Sequence, residues 1–192
     1  MSYRRSSYDN LAPIWIIMII NLLVFIATIA SNKVVFLLGL SPATFLEQPW
    51  AIVTSMFTHS GLWHILINML MLYFYGTFLS QLIGNKSLLI IYFCGGLLGN
   101  IFYLLLAFNP FSIVIGASGA IFALGGTLAV LTPRLKVYVF PIPVPMDLWI
   151  AVIGGFLILS VVPGIAWQAH LGGLVFGLIA GYYYRRRRRF LL

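Results

Sequence analysis

Long apolar runs separated by short polar breaks dominate this chain, and the pattern predicts membrane-spanning helices. Each span needs roughly 20 apolar residues, and glycine, proline and polar residues mark where one run ends and the next begins. The pattern indicates six spans, near residues 13–30, 61–81, 87–107, 117–131, 147–162 and 167–184. We therefore expect an all-α membrane protein with six transmembrane helices, built as one domain over residues 1–192 with a basic tail at 185–192.

The composition supports a membrane protein. Of the 192 residues, 62% are hydrophobic and 7% are charged, whereas a soluble protein carries about 25% charged residues. The first apolar run has no small-residue cleavage site, so we interpret it as a retained helix and not as a signal peptide. The single cysteine, Cys94, excludes an intramolecular disulfide and a multi-cysteine metal site.

Basic residues indicate how the spans are oriented. Lys and Arg accumulate on the cytoplasmic side of membrane helices, and six spans place both termini on one side. With cytoplasmic termini, that side receives every basic residue except Lys33, namely Arg4, Arg5, Lys86, Arg134, Lys136 and Arg185 to Arg189. We therefore predict a multi-pass protein of the cell membrane with its N- and C-termini in the cytoplasm. The final arginine run follows the last span directly, so we interpret it as a stop-transfer anchor that attracts anionic lipids, and we expect no nucleic-acid partner.

Two outer connections are expected to lie partly in the membrane. Residues 31–60 are unusually apolar for a loop and are predicted to lie in the interface, with Ser41 and Pro42 beginning a short helix. The fourth span is only about 22 Å long, so residues 111–115 must dip below the outer surface to meet it. Because non-helical backbone at that depth is tolerated only against protein or a water-filled cavity, we predict a cavity there. On the inner side, Asp147 is predicted to cap the fifth span.

Four polar side chains stand inside predicted spans, where polar groups are costly and by default mark function. They are His64 and Asn68 in the second span, Ser118 in the fourth and His170 in the sixth. These spans all run from outside to inside, and the four residues fall near the start of their spans, so they converge on one level below the outer face. Singly, each has a simpler interpretation as a helix-packing or interhelical hydrogen-bonding group. Their coincidence at one level favours a shared site.

Ser118 stands in a turn that opens directly into a helix, Gly116-Ala117-Ser118-Gly119. Its hydroxyl and backbone N–H thus lie at a helix N-terminus, where unpaired donors and the helix dipole favour a developing oxyanion. Small residues recur every four positions on two spans, at Ala169, Gly173, Gly177 and Gly181 and at Gly119, Ala123 and Thr127. Such faces let helices approach closely, which a serine and a histidine on separate helices need for a hydrogen bond of about 2.6–3.2 Å.

The scarcity of acids limits the possible chemistry. The chain has three carboxylates, of which Asp9 and Asp147 lie on the inner side and Glu47 lies in the outer loop. No acid falls in the outer part of a span, so we expect a Ser-His dyad, with Phe122 packing against the imidazole in place of an orienting acid. The same scarcity argues against an aspartyl protease, and no H-E-x-x-H motif is present for a zinc protease.

A metal site is an alternative that the histidines leave open. Imidazole is a common zinc ligand, and the chain has three histidines, His59, His64 and His170. No fourth protein ligand is evident, and His59 is expected near the membrane interface. We therefore predict no metal and no cofactor.

Together these residues resemble the rhomboid family of intramembrane serine proteases. The matching stretches are His59-Ser60-Gly61-Leu62-Trp63-His64 with Asn68, then Gly116-Ala117-Ser118-Gly119, then Ala169-His170-Leu171-Gly172-Gly173. The resemblance implies a six-helix rhomboid bundle in which Ser118 is the nucleophile and His170 is the general base and later the acid. It also implies a mobile fifth helix and a cap near residues 160–166 that admit substrate sideways from the lipid.

The resemblance also implies an oxyanion site made by His64, Asn68 and the Ser118 N–H, with Gly116, Gly119 and Phe122 as supporting residues. Two positions depart from the family pattern. The family often has Trp-Arg where this chain has Trp50-Ala51, so an arginine that helps to fix the first loop is absent. Many members also have tyrosine at the position of Phe122, so a hydroxyl is lost while the ring is kept.

The sequence therefore predicts an intramembrane serine endopeptidase that hydrolyses peptide bonds in or near transmembrane segments of other membrane proteins. Its active site is expected to open to the extracytoplasmic side of the bilayer. The alternatives are a non-catalytic relative that binds membrane clients and a transporter or channel. Retention of both Ser118 and His170 argues against the first, and the lack of an intramembrane acid weakens a proton-coupled transporter. The physiological substrate and the oligomeric state do not follow from the sequence.

Overall fold

Helices account for most of the fold. The computed structural model describes residues 11–139 and 143–189. Its helices are α1 (Ala12–Ala30), α2 (Lys33–Leu38), α3 (Ala51–Thr54), α4 (Leu62–Ile83), α5 (Asn85–Leu106), α6 (Ser118–Leu131), α7 (Leu148–Ser160) and α8 (Trp167–Arg189). Six of these, α1 and α4 to α8, lie where the spans are predicted, and α8 continues through the arginine run. Arg4, Arg5, Asp9 and the side chains of Arg188 and Arg189 lie outside the described residues.

Three of the described helices are long and apolar enough to cross a membrane: α1, α4 and α5. Helices α6 and α7 are apolar but shorter. The 14 residues of α6 extend about 21 Å at 1.5 Å per residue, less than the roughly 30 Å of a hydrocarbon core. The number of spans therefore stays a prediction, whereas the helical character of the chain is established.

Helix α6 lies at the centre of the bundle and packs most closely against α8. A Cβ built on Gly173 would overlap the Gly119 carbonyl, and one built on Gly177 would overlap the Ala123 carbonyl. Each small position of α8 thus faces a small position of α6, and the two helices run side by side in the same direction. The Thr127 hydroxyl, farther along α6, donates a hydrogen bond to the Gly177 carbonyl at 3.0 Å. The two small faces recognised in the sequence are therefore the faces that meet.

The connection between α1 and α4 is only partly as predicted. Helix α2 exposes Phe36 and Leu37, as an interfacial segment would. No helix begins at Ser41 and Pro42, because residues 42–47 form consecutive turns. The Ser41 hydroxyl donates to the Pro110 carbonyl at 2.8 Å, so it joins two loops and caps no helix.

The second half of this connection is largely buried inside the protein. Ser55, Met56, Thr58 and His59 are all buried. They follow α3 through a 3-10 turn, Ser55–Phe57. The segment is buried because its backbone and side chains provide hydrogen-bond partners for the chain that precedes α6.

The stretch that precedes α6 enters the protein without helical structure. Val114 pairs with Leu40 in an isolated antiparallel bridge, so the connection before α3 and the connection before α6 satisfy each other's backbone groups. Between α6 and α7, a two-stranded ladder joins β1 (Lys136–Val137) to β2 (Met146–Asp147). Asp147 is the N-cap residue of α7, where the prediction placed it, but its side chain makes no capping hydrogen bond. Its carboxylate forms an ion pair with Lys136 at 2.7 Å, because the strand register places these two residues opposite each other.

Candidate active site

Ser118 and His170 form a direct hydrogen-bonding contact between α6 and α8. The His170 Nε2 and Ser118 Oγ atoms lie 2.8 Å apart. Ser118 is the first residue of α6, and His170 lies in the first turn of α8. The close approach of the small helix faces brings these two short side chains within reach. An imidazole nitrogen at this distance can accept the hydroxyl proton, which is how a histidine activates a serine.

The His170 ring is held by an aromatic ring. Among the described residues, its Nδ1 atom has no hydrogen-bond partner, so no described carboxylate orients the imidazole. The ring of Phe122 packs against it instead, with centroids 4.6 Å apart and planes inclined by 34°. Phe156 of α7 meets Phe122 edge-on, with ring centroids 6.1 Å apart. Phe122 thus lies where the sequence placed it, and it also links the dyad to α7.

Two glycines shape the turn that presents Ser118. Gly116 has φ +117°, a region that residues with a Cβ rarely adopt. A Cβ at Gly116 would also lie only 2.7 Å from the His64 Nε2 atom, so glycine allows the imidazole to approach the turn. At Gly119 a Cβ would lie 3.2 Å from the Ala169 carbonyl oxygen, which places α8 close to the start of α6.

Asn68 is positioned differently from a simple oxyanion donor. Its Nδ2 atom donates to the His64 carbonyl one turn earlier at 2.7 Å, which occupies one of the two amide N–H groups. The side chain is nearly fully buried, and its Oδ1 atom has no partner among the described residues. One N–H group of Asn68 is therefore left for another acceptor. His64, half-buried, projects from the first turn of α4 towards Gly116.

His59 lies at the site, although the sequence placed it near the membrane interface. It is fully buried, and its ring meets that of His64 edge-on with centroids 4.8 Å apart. Its Nε2 atom accepts a hydrogen bond from the Ala117 N–H at 3.5 Å. Its backbone carbonyl accepts a bond from the Thr28 hydroxyl of α1 at 3.1 Å. The residue is buried because it holds the turn before Ser118.

Two further residues near the site were missed by sequence reasoning. Ser55 and Asn100 are both buried, and Asn100 donates to the Ser55 hydroxyl oxygen at 2.9 Å. Asn100 is a polar residue inside the predicted third span, which is the signal that could have identified it. Ser55 lies in a loop and gives no such signal.

The site lies at one end of the bundle, far from the arginine run. Most of its side chains come from the first two turns of α4, α6 and α8. Arg185 follows His170 by four helical turns, about 22 Å along α8. Over the described part of the chain, no three His, Cys, Asp or Glu side chains lie close enough together to hold a metal ion.

The arrangement of these motifs agrees with a comparison to known families. A family model described as the Rhomboid domain matches residues 46–187, which include every site residue named above. The chain belongs to the rhomboid family. The family is membrane-embedded, and it includes serine proteases.

Several curated rhomboid proteins are similar to this chain. It is 31% identical over 145 residues to Rhomboid protein 1, mitochondrial, of Saccharomyces cerevisiae, covering 69% of this chain and 41% of the relative. It is 33% identical over 132 residues to Rhomboid protease GluP of Bacillus subtilis, covering 68% and 25%. It is 34% identical over 130 residues to Inactive RHOMBOID-like protein 8 of Arabidopsis thaliana, covering 67% and 36%. The matches thus span less than half the length of these relatives, and both a protease and an inactive protein are among them.

In this rhomboid-family chain the first loop is fastened without the arginine that often follows the loop tryptophan. Ala51, at that position, is buried against Leu40 and Tyr103 in a small apolar cluster. The Trp50 indole N–H donates to the Leu37 carbonyl at 2.9 Å, and the Thr54 hydroxyl donates to Leu38 at 2.8 Å. These hydrogen bonds tie α3 to α2 and hold the loop.

Proposed function

We propose that this protein is an intramembrane serine endopeptidase that hydrolyses peptide bonds in or near transmembrane segments of membrane proteins. The observation that carries the proposal is the 2.8 Å separation between His170 Nε2 and Ser118 Oγ. Membership of a family that includes serine proteases supports it. Neither a membrane client-binding protein nor a transporter requires a histidine poised to take the proton of a serine.

In the proposed mechanism His170 first acts as a base. Its Nε2 atom takes the Ser118 hydroxyl proton as Oγ attacks the carbonyl carbon of the substrate peptide bond. The resulting imidazolium then donates that proton to the leaving amine, and the C–N bond breaks to give an acyl-enzyme. A water molecule, deprotonated by His170, attacks the acyl carbon, and the proton returns to Ser118 as the ester bond breaks. Phe122 keeps the imidazole oriented through both steps.

The negative oxygen of the tetrahedral intermediate requires donors. We assign this role to the Ser118 backbone N–H, to His64 and to the free amide N–H of Asn68. The Ser118 N–H has no acceptor within its helix because Ser118 is the first residue of α6. The helix dipole also favours negative charge at this end. Loss of one strong oxyanion donor costs about 10²–10³-fold in turnover. We expect His64→Ala and Asn68→Ala to approach this loss, and to fall short of it if the donors substitute for one another.

The site implies a membrane topology. We propose six spans, with both termini in the cytoplasm of a cell-membrane protein and the active site opening to the extracytoplasmic side. The dyad lies at the helix ends opposite Arg185, which agrees with the positive-inside rule. Substrate would enter sideways from the lipid past α7 and the exposed connection at 161–166, which we assign as the cap.

The chemistry limits which substrates fit. Hydrogen bonds within an intact helix shield its peptide bonds, so a substrate helix must unwind before Ser118 can attack it. Segments with glycine, proline or polar residues near the outer membrane boundary should therefore be cleaved best. The resemblance to the rhomboid family also implies a preference for substrates with a small residue before the cleaved bond. No cofactor takes part in this mechanism.

A reconstituted assay tests the proposal. The purified protein in lipid vesicles should cleave a single-span model substrate and react with a serine-directed fluorophosphonate at Ser118. Both reactions should be lost in Ser118→Ala and in His170→Ala, while their unfolding temperatures stay close to that of the wild type. Wild-type turnover by either variant would refute the dyad. Solute flux that survives in Ser118→Ala would favour a transporter, and client binding without cleavage or labelling would favour a non-catalytic relative.

A further inference from the structure

The backbone that presents Ser118 is held by the buried end of the first outer connection. The Gly116 N–H donates to the Ser55 carbonyl at 2.8 Å. The next N–H, of Ala117, donates to His59 Nε2 at 3.5 Å. Two consecutive N–H groups just before Ser118 therefore depend on the segment from Ser55 to His59. Only one 3-10 turn, Ser55–Phe57, orders this segment locally, so contacts with other parts of the protein must fix its position.

Asn100 of α5 fixes that segment. Its Nδ2 atom has two N–H groups, and both are used. One donates to the Ile52 carbonyl at 2.7 Å, and the other donates to the Ser55 hydroxyl oxygen at 2.9 Å. Asn100 and Ser55 are buried, with exposed fractions of 6% and 1%. The hydrogen bond to Ser55 is buried and the one to Ile52 is partly buried, so removing the amide would take a shielded donor from both acceptors.

A neighbouring contact explains how the segment comes so near to α5. A Cβ built on Gly96 would overlap the side chain of Met56. Gly96 therefore lets Met56 lie directly against the α5 backbone, one helical turn before Asn100. The apolar contact lies beside the amide, which bonds the segment at two points, the Ile52 carbonyl and the Ser55 hydroxyl.

We propose that Asn100 is a positioning residue, which holds the Ser118 turn in place through Ser55 without touching the substrate. The connection runs from the Asn100 amide to Ser55 and from the Ser55 carbonyl to the Gly116 N–H. Its effect on catalysis rests on the proposed function, whereas its effect on the turn does not. Loss of the amide should let residues 114–117 move, and with them the Ser118 N–H and hydroxyl.

The chain offers a matched control in Asn21. This residue of α1 is also fully buried, and its Nδ2 atom donates to the Ile17 carbonyl at 2.8 Å. Its acceptor belongs to its own helix, and its side chain also lies beside the Tyr92 hydroxyl of α5. Among the described residues, none of these groups is hydrogen-bonded to residues 114–117. The variants Asn100→Leu and Asn21→Leu therefore remove the same buried amide with a similar change of shape, and both should lower stability. The two variants differ in whether removal of the amide displaces the turn that presents Ser118.

Hydrogen exchange followed by mass spectrometry tests the positioning directly, without relying on catalysis. In Asn100→Leu, peptides that contain residues 114–117 should exchange at least about tenfold faster than in the wild type, because local opening becomes easier. In Asn21→Leu the same peptides should exchange as in the wild type. Unchanged exchange in Asn100→Leu, or equal acceleration in both variants, would overturn the proposal. Ser55→Ala, which keeps the backbone acceptor but loses the hydroxyl, should give a smaller acceleration and serves if Asn100→Leu does not fold.

Fluorophosphonate labelling tests the catalytic consequence. Per folded molecule, labelling of Ser118 in Asn100→Leu should be about tenfold slower than in the wild type, since small misplacements of reacting groups are costly. Labelling of Asn21→Leu should match the wild type, and equal rates in the two variants would overturn the positioning role. Absence of labelling in the wild type itself would instead refute the proposed function, and the exchange experiment would still decide whether Asn100 holds the turn.

Discussion

The imidazole of His170 packs against the ring of Phe122, with centroids 4.6 Å apart and ring planes inclined by 34°. In a serine protease triad, an acid bound to the other imidazole nitrogen orients the histidine. Here that nitrogen has no partner among the described residues, and contact with an aromatic ring restrains the imidazole. Packing against Phe122 thus replaces the hydrogen bond of an acid in orienting the imidazole.

Replacing Phe122 with alanine should slow the fluorophosphonate labelling of Ser118 by roughly tenfold, because the unsupported imidazole would spend less time aligned with the hydroxyl. The change should also lower the free energy of unfolding, by roughly 3 kcal/mol for a large packed ring. Phe122→Tyr keeps the ring and should label at nearly the wild-type rate. Labelling rates corrected for the folded fraction separate the two effects. If Phe122→Ala labels as fast as Phe122→Tyr, the ring does not orient His170.

Replacing Gly116 with alanine should damage the site more than its size suggests. The new Cβ would have to adopt φ near +117° and would lie 2.7 Å from the His64 Nε2 atom. Backbone strain of this kind costs about 1–3 kcal/mol, and relief of the strain would move the turn that presents Ser118. We expect lower thermal stability and labelling slowed by at least about tenfold. Gly154→Ala is the matched control because, apart from its chain neighbours and its own helix backbone, no heavy atom lies within 4 Å of its Cβ position. This variant should be neutral or slightly stabilising.

Replacing Gly173 with valine should separate the helices that carry the dyad. Even a Cβ at this position would overlap the Gly119 carbonyl, so α6 and α8 would have to move apart. Forcing extra atoms into a packed contact costs about 1–3 kcal/mol or more. Thermal unfolding should report the loss of stability, and labelling of the remaining folded protein should be lost because His170 no longer reaches Ser118. Gly155→Val, on an open face of α7, should keep the labelling. Normal labelling of Gly173→Val would show that the close approach is not needed.

His59 should make the fold sensitive to acid. Burial, assisted by the neighbouring charge of His64, lowers the pKa of His59 to about 3, whereas a histidine in an unfolded chain has a pKa of about 6.5. Between these values the unfolded chain binds a proton that the folded protein does not. The stability should therefore be complete above about pH 6.5 and should fall as the pH decreases towards 3, by up to about 1.4 kcal/mol per pH unit.

Unfolding measurements at about pH 7.5 and about pH 5 test this dependence, since the two values bracket the titration of an unfolded histidine. His59→Gln keeps a side-chain acceptor for the Ala117 N–H but cannot be protonated in this range. Its stability should fall less between the two pH values than that of the wild type. Equal losses in both proteins would mean that His59 does not contribute to the acid sensitivity.

The sequence determined the features that depend on local pattern. Apolar runs predict helices because the backbone groups that bond within a helix are always four residues apart along the chain. Ser118 and His170 could be placed at one level because each lies near the start of its helix. The four-residue spacing of small residues could likewise identify the faces of α6 and α8 that meet, since such spacing keeps residues on one face.

Only the tertiary structure decided which side chains outside the regular pattern reach the site. Contacts between separate segments explain three features that the sequence did not predict. His59 is buried against the turn before α6, Ser41 bonds to Pro110, and Asp147 pairs with Lys136 on the facing strand. The same holds for Asn100 and Ser55, whose 2.9 Å hydrogen bond joins a helix to a loop 45 residues earlier. Helical spacing is encoded by neighbouring residues, whereas the path of a loop is set by whichever distant donors and acceptors satisfy its backbone.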